Sequence, residues 1–254
     1  MTDPDYTTVF ISGVSRGIGK ALAAAYLARP NHTVIGSIRD TSAADQVEEL
    51  TRSSVAENSK LMLVTIENTA PGDPQQALEE MRAAGIDHLD IVISNAGGGS
   101  PPLAPLNTVD ADEMLEAYHT NAVGPLRLFQ AFKPLLQKSK SPKWIWQSSI
   151  GGSIGSMSET SSWIAPSYGA SRAASNWIAS ALHFTNEWLT IVPIYPGLVQ
   201  TPAGNWVAQQ IGLEEAPITV DLCVERVLAF IDNATRIKDS GKFTSVIEGN
   251  TLPW

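Results

Sequence analysis

Short strand-like runs alternate with amphipathic helical runs along the whole of this chain, and this order limits the fold more than any other feature. Strands that are separated by helices are joined by right-handed crossovers, which give a parallel sheet with helices on both faces. The sequence therefore predicts an α/β fold, a single doubly wound sheet of the Rossmann type with about seven strands. The strand candidates are TTVFIS, HTVIGSI, KLMLVTI, LDIVISN, KWIWQSS, LTIVPIYP and GKFTSVIEG.

The helical candidates lie between these runs. They are GIGKALAAAYLAR, AADQVEELTRSSVA, DPQQALEEMRAAG, DADEMLEAYHTNAVGPLRLFQAFKPLL, PSYGASRAASNWIASALHF and TVDLCVERVLAFID. No internal repeat, low-complexity linker or shift in composition marks a second domain, so residues 1–254 are expected to form one domain. Two stretches rich in Gly and Pro, GGGSPPLAPL and PGLVQTPAG, follow strands, where an open α/β sheet places its ligand-binding loops.

Charge and composition argue against several classes of protein. The net charge of −9 disfavours general binding to nucleic acids or anionic membranes, because both require a basic face. No apolar run approaches the ~20 residues that a membrane span needs, and the first residues show no leader pattern. A single cysteine, Cys223, fits a reducing compartment. We expect a cytoplasmic protein whose partner is a small-molecule substrate.

A glycine-rich run, SGVSRGIG over residues 12–19, joins the first strand to the first helix. Glycines permit a tight turn and a close approach of the backbone, and the helix N-terminus offers unpaired N–H groups and a positive dipole to a pyrophosphate. At the start of a βαβ unit, this run predicts dinucleotide binding. The predicted contact residues are Gly13, Ser15, Arg16, Gly17, Ile18 and Gly19.

The end of the second strand predicts which dinucleotide is bound. An acidic residue there would bind the adenosine ribose, whereas an arginine would pair with a 2′-phosphate. Arg39 follows this strand and Arg16 lies in the glycine run, so two guanidinium groups are available to one phosphate. This favours NADP(H), and the adjacent Asp40 keeps NAD as the alternative. Glu67, which closes the third strand, is a candidate acceptor for the adenine amino group.

Further groups of polar and glycine residues follow the later strands. They are Asn95, Ala96 and Gly97 after the fourth strand, Asn121 within the helix over 110–136, Ser148 and Ser149 at the end of the fifth strand, Tyr168 and Arg172 at the start of the next helix, and PGLVQT over residues 196–201. Together with the glycine run, they resemble the short-chain dehydrogenase/reductase family over essentially the whole chain. The pieces HFTNEWLT, PGLVQT and LPW are similar to fungal polyketide ketoreductases of the norsolorinic acid ketoreductase type.

The resemblance implies further site residues. Those implied for cofactor binding are Asn95, Ala96, Gly97, Pro196, Gly197, Val199 and Thr201. The implied catalytic set is Asn121 as support of a proton relay, Ser149 as the group that binds the substrate oxygen, Tyr168 as acid and base, and Arg172 in place of the usual lysine, with Ser148 and Ser153 in reserve for the serine role. The family also suggests a homodimer or homotetramer packed through the helices over 110–136 and 166–184.

Carbonyl reduction accounts for these residue types, because it requires hydride at the carbon and a proton at the developing oxyanion. A phenol can supply the proton when a nearby fixed cation favours the phenolate. Residues four apart share one face of a helix, which places the guanidinium of Arg172 beside Tyr168. Ser149, at the tip of a strand, can donate a hydrogen bond to the same oxygen.

Arg172 departs from the Tyr-x-x-x-Lys pattern of the family. Arginine keeps the positive charge, but it is planar, bulkier and never deprotonated, so it cannot reproduce the geometry of an ammonium relay. The leading hypothesis is an NADPH-dependent reductase of a carbonyl in an apolar or polycyclic secondary metabolite. The second is an iminium reductase or a cyclisation-steering protein, since iminium reduction needs hydride more than a strong acid. The third is a catalytically silent NADP(H)-binding sensor.

Residues 150–167 and 200–215 are candidate substrate loops. Their large apolar side chains can form walls for a flat aromatic ligand. These side chains are Met157, Trp163, Ile164, Trp206 and Val207. The four histidines are scattered without ligand spacing, and no Gly-x-Ser-x-Gly sequence precedes a helix, so neither a metal site nor a hydrolase is expected.

Overall fold

The computed structural model describes residues 6–40, 42, 47, 50, 55–98 and 104–254. The strands are β1 Thr7–Ser12, β2 His32–Ile38, β3 Lys60–Thr65, β4 Ile91–Ser94, β5 Lys143–Gln147, β6 Thr190–Tyr195, β7 Thr244–Ser245 and β8 Asn250–Thr251. They form one eight-stranded sheet in the order β3-β2-β1-β4-β5-β6-β7-β8. All neighbours are parallel except β7 and β8. The predicted doubly wound α/β fold is confirmed.

The predicted strand number was wrong by one, because the last run of the chain forms a hairpin. The sequence predicts a single strand over GKFTSVIEG, but only Thr244–Ser245 pairs with β6. The backbone then reverses: Gly249 has a φ of +73°, and its N–H donates to the carbonyl of Ser245. Glycine adopts this left-handed conformation without steric cost, so the chain returns as β8 along the edge of the sheet.

The helices are α1 Gly17–Leu27, α2 Asp73–Ala83, α3 Ala111–Tyr118, α4 Gly124–Leu136, α5 Met157–Thr160, α6 Pro166–Thr185, α7 Pro202–Gln210 and α8 Val220–Asn233. The long helix predicted over 110–136 is divided by a π-helical turn, His119–Val123. Most of the predicted helix AADQVEELTRSSVA, and residues 99–103 of the predicted loop GGGSPPLAPL, lie outside the described residues. None of the described helices is both long and apolar enough to cross a membrane.

Apolar side chains pack on both faces of the sheet, because successive residues of a strand point to opposite sides. In β1, Val9 and Ile11 join the cluster beneath α1 and α8, whereas Phe10 joins the cluster beneath α2, α4 and α6. Phe10 meets Phe132 of α4 edge to face, with 4.7 Å between ring centroids. Both faces are therefore covered by helices, as a parallel sheet requires.

The sequence order of the strands reverses between β1 and β4, since β2 and β3 lie on one side of β1 and β4 lies on the other. In open α/β sheets, ligands bind outside the carboxyl ends of the strands at such a switch point. The segments that follow β1, β4, β5 and β6 contain almost all of the residues predicted for the site.

Candidate active site

The glycine run after β1 forms a tight loop against the neighbouring segment. Gly13 has a φ of +75°, and its N–H donates to both the carbonyl and the hydroxyl of Ser37, each at 3.0 Å. A methyl group on Gly13 would lie 3.1 Å from the Cβ of Ala96. The loop after β1 and the segment after β4 therefore lie side by side, and a side chain at residue 13 would have to displace Ala96.

The N-terminus of α1 is open to an anion. Arg16 stands at the N-cap position, and no side chain there bonds to the first N–H groups of the helix. Gly19 allows the helix to begin close to the loop, because a methyl group at this position would lie 2.1 Å from the carbonyl oxygen of Gly13. Unpaired N–H groups and the helix dipole suit a pyrophosphate. Ser15 and Ile18 lie in the same turn, half-buried.

Asn95 fastens this loop rather than facing solvent. Its Nδ2 donates to the carbonyls of Ser12 and Gly13 at 2.8 and 3.1 Å, and its Oδ1 accepts from Nε2 of Gln147 at 2.9 Å. The buried hydroxyl of Ser12 in turn accepts from the N–H groups of Asn95 and Ala96. Three strand ends are thereby joined by one set of hydrogen bonds.

Asn121 lies fully buried in the π-helical turn and holds the segment after β4. Its Nδ2 donates to the carbonyl of Gly98 at 2.8 Å and to the hydroxyl of Ser171 at 3.0 Å, while its Oδ1 accepts from the N–H of Gly98 at 3.0 Å. Asn68 supports the same region by donating to the carbonyls of Ala96 and Thr120. The side-chain amide of Asn121 therefore holds residues 97–98 against α6. Its support of a proton relay stays a prediction.

Ser149 begins the 3-10 turn Ile150–Gly152 and keeps its proton available. Its Oγ accepts from the N–H of Gly151 at 3.1 Å, which uses a lone pair and leaves the O–H to donate elsewhere. The two reserve serines are already committed: the Ser148 hydroxyl donates to Oδ1 of Asn176, and the Ser153 hydroxyl donates to the carbonyl of Pro253 at 2.7 Å. Of the three, Ser149 is the one whose hydroxyl makes no donation among the described residues.

Tyr168 and Arg172 share one face of α6, as their spacing predicts. The guanidinium carbon of Arg172 lies 5.1 Å from the centroid of the Tyr168 ring. A methyl group on Gly151 would lie 3.4 Å from Oγ of Ser149 and 3.7 Å from two carbons of the Tyr168 ring. The serine hydroxyl, the phenol ring and the cation are therefore neighbours.

Arg172 is a buried cation without an acidic partner among the described residues. Its side chain is 6% exposed, its NH1 donates to the carbonyl of Gln147 at 2.9 Å, and its Nε has no hydrogen-bond partner. A methyl group on Gly97 would lie 2.4 Å from its NH2. A buried charge is costly unless it is paired, so this arrangement suits a ligand with oxygen atoms beside residues 97–98.

A second phenol, Tyr195, lies at the end of β6. Burial raises the pKa of Tyr195 to about 12, and the charges of Glu248 and Tyr168 act in the same direction. Tyr195 therefore gives up its proton less readily than an unperturbed tyrosine. Among the described residues, the ring of Tyr168 has an arginine beside it, whereas no such contact is found for Tyr195.

The residues predicted to read the 2′-phosphate lie at the surface. Nε of Arg39 pairs with Oε2 of Glu67 at 3.2 Å, and Oε1 of Glu67 accepts from Thr69. Asp40 accepts from the N–H of Ser42. Arg16 is exposed and forms no ion pair within the described part of the chain. The structure thus joins Arg39 to Glu67, two residues that the sequence assigns to different parts of the cofactor.

The segment after β6 closes on the glycine run. Pro196 and Val199 are buried, and Gly197 has a φ of +88°. The Thr201 hydroxyl caps α7 by accepting from the N–H of Gly204. A methyl group on Gly17 would lie 3.4 Å from Cγ2 of Thr201, so the two residues are neighbours. Both line a cavity of about 430 Å³.

The predicted substrate walls border this edge. Met157, Trp163 and Val207 are exposed, and Ile164 and Trp206 are half-buried. They lie on α5, on the 3-10 turn Ser162–Ile164 and on α7. That these side chains form walls for a flat aromatic ligand stays a prediction.

Sequence reasoning missed the residues that support the site. Ser12, Asn68 and Gln147 each bond to the segment after β4 or to Arg172. Their signal is a polar residue at or just past the carboxyl end of a buried strand. In the described residues, no group of three or more histidine, cysteine or acidic side chains could hold a metal ion.

Comparisons with known proteins agree with this geometry. A family model described as short chain dehydrogenase matches residues 7–211. A short-chain dehydrogenase of Neurospora crassa is 46% identical over 100% of both chains, and a norsolorinic acid ketoreductase of Dothistroma septosporum is 36% identical over 99% of this chain and 94% of its own. The crystal structure of NADPH-bound carbonyl reductase from chicken fatty liver superposes with a TM-score of 0.85 at 28% identity, covering 98% of this chain and 99% of the other.

Proposed function

Since this chain belongs to the short-chain dehydrogenase family, we propose that it is an NADPH-dependent ketoreductase that reduces a carbonyl of an apolar or polycyclic secondary metabolite. The observation that carries the proposal is the grouping of Ser149, Tyr168 and Arg172 at the carboxyl edge of the sheet. The names of the relatives, a ketoreductase and a carbonyl reductase, support the same reaction. The whole chain would act as one domain, with substrate loops at residues 150–167 and 200–215.

The residues around the glycine run fit a nicotinamide dinucleotide. The open N-terminus of α1 and the tight turn at Gly13 would hold its pyrophosphate, and Ala96, Gly97, Val199 and Thr201 would border the rest of it. When bound, the dinucleotide supplies hydride to the substrate carbon. The unpaired Nε of Arg172 supports this fit, because ribose hydroxyls could accept from it.

The side chains of this site then complete the reduction. Ser149 donates its free O–H to the carbonyl oxygen, which draws electron density from the carbon and fixes its orientation. Tyr168 donates its phenolic proton to the oxygen as negative charge develops there, and the product is an alcohol. Arg172 faces the Tyr168 ring as a fixed cation and stabilises the phenolate that remains. Asn121 holds residues 97–98 in place beside them.

Preference for NADPH follows from two exposed arginines. Arg16 and Arg39 flank the region where the adenosine ribose of a bound dinucleotide would lie, one in the glycine run and one after β2. Two charge-assisted contacts to a 2′-phosphate would favour NADPH over NADH by at least roughly tenfold. The carboxylate of Glu67 pairs with Arg39 and would compete with a 2′-phosphate for its guanidinium.

The proposal is tested by turnover of NADPH with a panel of aromatic ketones. Tyr168→Phe removes only the hydroxyl, so the variant should fold and bind NADPH while its ketone reduction falls at least ~10²-fold. Full ketone turnover by this variant would show that Tyr168 is not the proton donor.

One observation favours a second function. The guanidinium of Arg172 is held by the Gln147 carbonyl and the Tyr168 ring, so it lacks the mobility of a lysine ammonium. Iminium reduction, or cofactor-dependent steering of a cyclisation, makes a smaller demand on proton delivery. Cyclic imines in the same panel distinguish the two functions, because a ketoreductase should consume the ketones in preference.

We further propose a homodimer or homotetramer that packs through α3, α4 and α6. Support comes from the large exposed side chains of Trp177 and Phe184 on α6 and of Leu115 on α3. Residues seven apart lie on one face of a helix, so Trp177 and Phe184 form one apolar surface. The buried, unpaired thiol of Cys223 is consistent with a cytoplasmic protein.

A further inference from the structure

We propose that residues 252–254, the strap, fix the start of the substrate loop beside Ser149, and that Trp254 is a positioning residue for large substrates. The strap includes the LPW sequence, which the proposed cofactor site and catalytic set leave without a role. The kinetic part of this inference rests on the proposed carbonyl reduction, whereas its structural part does not.

The strap is anchored on the body of the fold through Phe243. The N–H of Leu252 donates to the carbonyl of Phe243 at 2.7 Å. The Trp254 indole stacks on the Phe243 ring, with 6.0 Å between centroids and 23° between planes. Phe243 is fully buried and directly precedes β7, so the strap cannot shift without disturbing a fixed residue.

Two hydrogen bonds join the strap to the substrate loop. The N–H of Gly155 donates to the main-chain oxygen of Trp254 at 2.7 Å, and the hydroxyl of Ser153 donates to the carbonyl of Pro253, also at 2.7 Å. Ser153 is fully buried, so losing its partner would leave a polar group unsatisfied. A methyl group on Gly155 would lie 2.8 Å from the Cβ of Pro253, which shows how closely the two segments pack.

Hydrogen bonds within the substrate loop connect the strap to the proposed catalytic residues. Ser153 is tied to the 3-10 turn Ile150–Gly152 through its N–H, which donates to the carbonyl of Ile150 at 2.9 Å. The same turn begins at Ser149 and places Gly151 against the Tyr168 ring. On its other side, the Ser153 hydroxyl accepts from the N–H of Ser156, directly before the wall residue Met157. A change in the strap would therefore displace the wall and the serine hydroxyl together.

The hydrogen bonds of the strap do not reach the predicted cofactor residues. Those recorded for the described residues of the strap run to Phe243, Ser153 and Gly155, none of which belongs to the glycine run or to residues 95–97. Loss of the indole should therefore change substrate kinetics and leave NADPH affinity as it is. A bulky substrate that spans the loop should suffer more than a small one that touches only Ser149 and Tyr168.

The test compares Trp254→Ala with Trp254→Phe, which keeps a ring to stack on Phe243, and with Tyr6→Ala as a matched control. Trp254 and Tyr6 are 43% and 38% exposed, and Tyr6 precedes β1 at the opposite end of the strand from the site. The kinetic measure is kcat/KM for a bulky aromatic ketone divided by kcat/KM for a small aliphatic one. This ratio does not depend on how much of the enzyme is folded, so it separates positioning from stability.

We expect Trp254→Ala to lower the ratio about tenfold, because a small displacement of positioning groups is enough for such a loss. Trp254→Phe should recover most of it, and Tyr6→Ala should leave it unchanged. An unchanged ratio in Trp254→Ala, or an equal fall in Tyr6→Ala, overturns the positioning role.

A second measurement is independent of catalysis. Hydrogen exchange of the Gly155 amide should become faster in Trp254→Ala than in the parent protein, since this N–H donates to the strap. Unchanged exchange overturns the strap itself, whatever the activity. If no ketone is reduced, the proposed function fails while faster exchange still supports the anchoring of the loop.

Discussion

Replacing Arg172 with methionine should separate what this side chain does for the fold from what it does for the reaction. The substitution removes a charged hydrogen bond of 2.9 Å to the Gln147 carbonyl, worth about 1.5–3 kcal/mol. It also removes a cation–π contact of 5.1 Å to Tyr168, worth about 0.5–2 kcal/mol. The substitution also relieves two destabilising contributions. The buried charge, which has no acidic partner among the described residues, costs several kcal/mol, and the unsatisfied Nε–H costs about 1–3 kcal/mol.

These contributions nearly cancel. The free energy of unfolding of Arg172→Met without cofactor should therefore lie within about 1 kcal/mol of the parent value, or above it. Denaturant unfolding followed by tryptophan fluorescence measures this. Ketone reduction should fall at least ~10²-fold, and added NADPH should raise the stability of the variant less than that of the parent.

Arg172→Lys is the matched control, because it keeps the charge in a more compact group. We expect it to preserve ketone reduction. If Arg172→Met without cofactor lost more than about 3 kcal/mol in its free energy of unfolding, Arg172 would be a residue that stabilises the fold. Its burial would then need no bound ligand as an explanation, and the proposed role in cofactor binding would lose its support.

Three further predictions concern other parts of the molecule. Ser149→Ala should lower ketone reduction by about 10²-fold with little change in NADPH affinity, since it removes one donor to the developing oxyanion; an unchanged rate would exclude the serine. Glu67→Gln should tighten NADPH about two- to fivefold and leave NADH unchanged in fluorescence titrations, because it frees the exposed guanidinium of Arg39 from a competing carboxylate; weaker NADPH binding would instead show that Glu67 orients Arg39. Burial, and then the charge of Arg236, lower the pKa of His183, so the unfolded chain binds its proton more readily and stability is lost as pH falls below about 6.5. His183→Gln should flatten this fall of Tm between about pH 7.5 and pH 5.5, and an unchanged slope would contradict it.

The sequence was sufficient for the α/β fold class because its signals are local. Each buried strand is a short apolar run, and each helix has its own period, so the alternation predicts the doubly wound architecture. The prediction of a single strand over GKFTSVIEG was wrong. Whether the chain reverses at Gly249 depends on the pairing of Thr244–Ser245 with β6, which is a contact with a strand distant in the sequence. The ends of a sheet are decided by such contacts rather than by local pattern.

The site divides in the same way. Glycine turns and the Tyr168 to Arg172 spacing could be predicted, since a tight turn and a helix face are set within a few residues. The bond from Asn121 to Ser171 joins residues that are 50 apart, and the pairing of Arg39 with Glu67 depends on β2 and β3 lying side by side. Nothing in the sequence near Arg172 indicates that its guanidinium is buried without an acid.

The central claim is that this site transfers hydride to a carbonyl carbon and a proton from Tyr168 to its oxygen. The most direct measurement supplies NADPH deuterated at the transferable position, together with aromatic ketones and matched cyclic imines, and analyses the products by mass spectrometry. We expect alcohols that contain one deuterium from the parent protein and almost none from Tyr168→Phe. Deuterium in the imine products alone, or tight NADPH binding without transfer to any substrate, would contradict the central claim.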